Sequence, residues 1–135
     1  MSTAVVASKA WCVVVPHQPR GARVARRRLS TALAGSVSRD RLADAMAIAA
    51  ELVGNAVRHA APLPGGVIRV AWRLLTGGGV LIRVTDGGSA KSPQVRPPSI
   101  DAVDGRGLAI VSALATSWGV DRDGLGQCVW AELSS

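Results

Sequence analysis

The chain is 135 residues long, enough for one domain that buries a single sizeable core and too short for a second independent one. Hydrophobic residues make up 48% of it, yet no run approaches the ~20 uninterrupted apolar residues of a membrane-spanning helix, and Met1 to Val15 lacks the basic start and long apolar run of a secretory signal, so no membrane is expected and the cytoplasm is the expected location. A net charge of +7, carried almost wholly by arginine, suits nucleic acid, an acidic protein or a phosphorylated ligand, while two cysteines without clustered histidines offer no zinc spacing.

In chain order, Trp11 to Val15 is short, apolar and β-branched, and Pro16 and Pro19 end it as a strand. From Arg20 to Leu33, Ala22, Ala25, Leu29, Ala32 and Leu33 recur at helical spacing, Gly35 supplies a stop, and the arginines take the other faces. Ser38 can cap a second helix with Asp40 in its first turn. The expected core stripe of that helix is Leu42, Met46, Ala49, Val53, Ala56 and Ala60, with Glu51, Asn55 and Arg58 on a separate polar row at spacings of four and three.

Ile68, Val70, Trp72 and Leu74 then alternate with polar or small residues, as do Val80, Ile82 and Val84 after Gly77-Gly78-Gly79, which predicts a hairpin. By parity Asp86 continues the apolar face and points its carboxylate toward the helices, where a buried charge needs a partner. Prolines and serines between Gly88 and Gly105 predict a mobile loop. A third helix is expected past Gly105 and Gly107, through Leu108, Val111, Leu114 and Ala115 toward Trp118, and a last pair of strands around Asp123-Gly124. Cys12 and Cys128, inside strand-like segments, are expected to be small buried hydrophobes. This order predicts an α+β fold, a two-layer sandwich whose mostly antiparallel, mixed sheet carries helices on one face.

Three segments stand in a telling order: Glu51-Leu-Val-Gly-Asn55-Ala-Val-Arg58-His59, Asp86-Gly-Gly88 and Gly105-Arg-Gly107-Leu108. They resemble the N box and the two glycine boxes of the gyrase and histidine-kinase ATPase superfamily, and within it the bacterial anti-sigma-factor serine/threonine kinases. The likeness runs from about Val13 to Leu133 and takes in Ala25-Arg26 and Trp118-Gly119-Val120. It implies a single histidine kinase-like ATPase domain over residues 1–135, with a core at about 11–133 and an ATP lid at about 89–104.

The resemblance also implies ATP and Mg2+ as cofactors. Asn55 would ligate the metal through its side-chain oxygen, since magnesium is hard and prefers oxygen. Asp86 would accept from the exocyclic amine of adenine, selecting it over guanine. Gly88 would let the backbone pass close to the base, Gly105 and Gly107 would bring backbone amides to phosphate oxygens, Leu108 would anchor the helix, and Arg58 could reach a phosphate. Glu51 would be the general base for a serine or threonine hydroxyl, or for water. His59 is expected to pack or hydrogen-bond within the box. Ala90, where the family often has glycine, and Gly54, a helix-weakening residue inside the N box, are departures that remove no ligand, while a loop with only Lys91 and Arg96 as cations bears on turnover more than on binding.

The implied activity is that of a regulatory protein that sequesters a sigma factor and phosphorylates a small anti-sigma-factor antagonist. Arg23, Arg26 and Arg27 would be part of a basic docking face, and a homodimer is suggested by family likeness. The alternative is a nucleotide-dependent protein-binding regulator without kinase activity. A nucleic-acid platform near Arg69, Arg73 and Arg83 is disfavoured because the chain has no Phe or Tyr to stack bases, and core packing accounts for its four tryptophans.

Overall fold

The computed structural model describes residues 9–88, 102–122 and 126–134, with side chains in the third helix from Leu108 onward. In chain order these form β1 (Ala10–Pro16), α1 (Arg20–Leu33), α2 (Arg39–His59), β2 (Val67–Leu74), β3 (Val80–Asp86), α3 (Ala102–Leu114), β4 (Ser117–Arg122) and β5 (Gln127–Leu133). The sheet order is β1-β2-β3-β5-β4, and every pairing is antiparallel, so the mixed element of the expectation is absent among the described residues. The fold is α+β in two layers, with helices on one face of the sheet.

Alternation along the strands decides which face carries the helices. Val15, Ile68, Val70, Trp72, Val80, Ile82, Val84, Ala131 and Leu133 are buried and face inward, while Arg69, Arg73 and Arg83 stand on the open face. Against the inward face α1 contributes Ala25, Leu29 and Leu33, and α2, packed between α1 and α3, contributes Ile48, Leu52 and Val53. Burying such side chains fully stabilises by about 1.5–3 kcal/mol each, so this one interface dominates the fold.

The stripe of α2 is broader than expected. Ala45, Ile48 and Leu52 join Ala49, Val53 and Ala56 as buried, whereas Leu42 and Met46 are half-buried. The reason is that α2 has neighbours on three sides, the sheet and both other helices, so its apolar arc widens beyond one row. Ser38 caps it as expected, its side chain accepting from the Arg41 N–H at 3.1 Å.

Two expectations need correction. Cys12 is exposed and Cys128 half-buried, because both fall on the open-face parity of their strands. Arg69 Nε donates to Cys12 Sγ at 3.1 Å. Trp118 lies in β4 and does not end a helix, and its Nε1–H donates to Ser112 Oγ at 2.9 Å. Trp130 faces outward, over Gly119, so core packing accounts for Trp72, for Trp11 stacked on it at 6.3 Å and for Trp118, opposite Ala131 on the inward face, but not for Trp130. Residues 89–101 of the expected lid, with Ala90, Lys91 and Arg96, and the Asp123-Gly124 turn lie outside the described residues. Among the described residues no helix is long and apolar enough to cross a membrane.

Candidate functional site

Asp86 closes β3 on the inward face and is 1% exposed, as its parity requires. Taking a carboxylate out of water is costly, and part of that cost is offset where Asp86 Oδ1 accepts from the Gly88 N–H at 2.7 Å. Burial raises the Asp86 pKa, against the lowering pull of the Gly88 N–H and of nearby His17. Gly88 has φ +88°, a left-handed conformation that brings its N–H back onto the carboxylate two residues earlier.

Main-chain bonds hold this turn against the exit of α2. Gly87 N–H donates to Ala61 O at 2.8 Å and Ala61 N–H to Gly88 O at 2.9 Å. The approach is so close that a Cβ on Gly87 would collide with the Pro62 carbonyl oxygen. The first glycine segment and the helix bearing Glu51 and Asn55 are thereby brought to one end of the sheet.

Glu51 and Asn55 are half-buried and Arg58 is exposed. Asn55 Oδ1 accepts from Arg58 Nη2 at 2.9 Å, so Arg58 is folded back onto its own helix. Its guanidinium lies over Gly54, where an added Cβ would come within 3.0 Å of Nη1. The glycine that weakens the helix therefore makes room for this arginine. The donor chemistry fits a hard cation: an amide oxygen already presented to positive charge, with a carboxylate one turn away on the same helix. Among the described residues no group of three or more His, Cys, Asp or Glu forms a metal cluster.

The second glycine segment is placed differently from the expectation. Helix α3 begins at Ala102, so Gly105 and Gly107 lie inside it and not ahead of it. Ala102 and Val103 extend the helix upstream, and each interior glycine costs about 1 kcal/mol relative to alanine without breaking it. Leu108 is half-buried in α3. His59 is exposed at the end of α2, and Arg23, Arg26 and Arg27 are exposed on α1.

Sequence reasoning missed two residues. His17, just past β1, has its Nε2 at 3.1 Å from Ala56 O and 2.8 Å from Ala60 O, which places the proton on Nε2 because carbonyls only accept. Its own N–H donates to Gly66 O at 2.9 Å. It ties the C-terminal turn of α2 to the end of β1. Gln127 is the cross-strand partner of Asp86 and is 7% exposed. A polar residue opening a strand carried no signal of its own, since its partner is set by register.

The family model described as Histidine kinase-like ATPase domain matches residues 15–133. A solved structure, that of the RsbU and RsbW domains of Rv1364c from Mycobacterium tuberculosis, is similar over 93% of this chain and 32% of that one, with TM-score 0.70 and 23% identity. The chain thus spans about a third of the length of that structure, and the likeness establishes the fold. No curated protein matches the sequence.

Proposed function

Since the chain belongs to the histidine kinase-like ATPase domain family, we propose that it binds ATP with magnesium where the end of β3 meets α2, and acts as an anti-sigma factor with serine/threonine kinase activity toward an antagonist protein. The observation that carries the ATP reading is the reciprocal pair of main-chain bonds between Ala61 and the Gly87-Gly88 turn, which sets the inward carboxylate of Asp86 beside the helix of Glu51 and Asn55. In this reading the buried Asp86 accepts from the adenine amine away from bulk water, where such a bond discriminates most.

Asn55 would hold magnesium, which neutralises phosphate charge when bound. Glu51 would take the proton of the attacking hydroxyl, and Arg58, once it leaves Asn55, would stand near the phosphates. Gly105 and Gly107 would supply amides if the first turns of α3 open, a change their low helix propensity makes cheap. The anti-sigma reading is supported by the sequence likeness of the N box and by a fold shared with a structure that contains an RsbW domain. The exposed arginines Arg23, Arg26 and Arg27 would steer an acidic face of the sigma factor or antagonist.

Calorimetry of ATP with and without magnesium on the wild type, Asn55→Ala and Asp86→Ala tests the site. Binding by the wild type and its loss in both variants is the expected result. Wild type that binds no ATP would sink the reading. Phosphoryl transfer lost in Glu51→Ala identifies the kinase; binding without any transfer leaves a nucleotide-dependent protein-binding regulator.

A further inference from the structure

Gln127 is 7% exposed, and among the described residues its Oε1 is buried without a hydrogen-bond donor. Leaving a buried acceptor unpaired costs about 1–3 kcal/mol, so native interiors seldom keep one without a use. Its place suggests the use. Gln127 pairs with Asp86 across β3 and β5, and both side chains project from the same inward face at the end of the sheet. Two acceptors thus stand side by side, one anionic and one neutral, at the point where the proposed function seats adenine.

Geometry narrows the ligand. An aromatic amine offers two N–H bonds about 120° apart, so two acceptors each about 2.9 Å from its nitrogen are about 5 Å from one another. Directly opposed residues of an antiparallel pair have Cβ atoms roughly 4.5–5.5 Å apart, the same span. A six-position oxo group, as in guanine or hypoxanthine, would instead put a third acceptor against these two.

We propose that Gln127 is a specificity-determining residue of the nucleotide site, its Oε1 accepting one hydrogen of the adenine amine while the Asp86 carboxylate accepts the other. This rests on the ATP reading and adds to it: the pocket reads both amine hydrogens, with an acceptor that has no donor among the described residues.

The test compares wild type, Gln127→Met and Asp86→Asn by calorimetry with ATP and with N6-methyl-ATP, whose amine keeps a single hydrogen, and by thermal unfolding of the free proteins. Methionine keeps the length of the side chain and removes its acceptor. Wild type should prefer ATP over the methylated nucleotide by about tenfold or more, the scale of one buried acceptor left unpaired. Gln127→Met should weaken ATP by a similar factor and leave N6-methyl-ATP unchanged, so that the preference collapses. The free variant should melt higher by about 3 °C, because the unpaired oxygen is gone.

The inference is overturned if Gln127→Met keeps the wild-type preference, loses both nucleotides equally, or melts lower than wild type. An unchanged preference would be the mark of a water or a neighbouring group serving Gln127. Failure of the ATP reading has a different signature: a wild type that binds neither nucleotide, or an Asp86→Asn variant that binds ATP like wild type, overturns that reading and this inference with it.

Discussion

Asp86 and the polar row of α2 face the same end of the sheet but are held by different means. Asp86 is 1% exposed, bonded to the Gly88 N–H, and set in a turn that exchanges main-chain bonds with Ala61. On the row, Asn55 is bonded to the exposed guanidinium of Arg58, side chain to side chain. The first arrangement cannot move without disturbing the backbone, whereas the second can exchange partners at little cost. On the proposed reading, base recognition would be built into the fold, and the groups for phosphate and metal would ride on a surface that adjusts when charge arrives.

The largest test of this contrast is Asp86→Asn, which keeps the shape and removes the anion. ATP affinity should fall about a hundredfold, near 3 kcal/mol, in calorimetry. Folding should respond in the opposite sense. Because burial raises the Asp86 pKa in the folded protein, the folded state binds more protons than the unfolded chain between the ordinary aspartate value and the raised one. Stability contributed by the neutral carboxyl is therefore full below the ordinary value and is lost as pH rises through the raised one. Thermal unfolding of the wild type from acid to neutral pH should show that decline, and Asp86→Asn should lack it.

Two substitutions then ask whether the backbone frame is what makes the base end rigid. Gly87→Ala forces a Cβ onto the Pro62 carbonyl and should destabilise by about 2–3 kcal/mol, with a lower melting temperature at every pH. His17→Ala removes the bonds from Nε2 to the last turn of α2 and should cost about 1–2 kcal/mol. Since His17 secures the turn that follows Asn55, it should also weaken the magnesium dependence of ATP binding, and His17→Gln, which can still donate, should restore part of both. A His17→Ala protein as stable as wild type would mean that α2 is positioned by its packing alone.

How far the sequence reveals this site follows the same division between local and long-range order. Asp86 is legible because its orientation depends on parity within one strand, beginning at Val80. Asn55 and Glu51 are legible because helical spacing places them on one row. Gln127 and His17 are not, since the first acquires meaning from its register with Asp86 and the second from carbonyls nearly forty residues away. Parity also explains the error over Cys12 and Cys128: apolar neighbours say that a segment is a strand, but only its register says which face is covered. The start of α3 at Ala102 reflects a contest between glycine and its helix-forming neighbours that spacing alone does not decide.

The smallest effect belongs to Arg58, and it probes the adjustable end of the contrast. The side chain is exposed, and a surface interaction of this kind contributes under about 1 kcal/mol, so Arg58→Ala should leave the melting temperature within about 2 °C of wild type. Its consequence appears once ATP is present. With Asn55 as the residue that would hold magnesium, Arg58 would give up the Asn55 oxygen and stand beside phosphate charge, and its removal should weaken binding about threefold at low ionic strength and have no effect at high salt, where exposed charges are screened. Tighter binding by Arg58→Ala would carry the opposite meaning: the arginine would then be a placeholder that competes for Asn55, and the loss of that competition would show as a stronger dependence on magnesium.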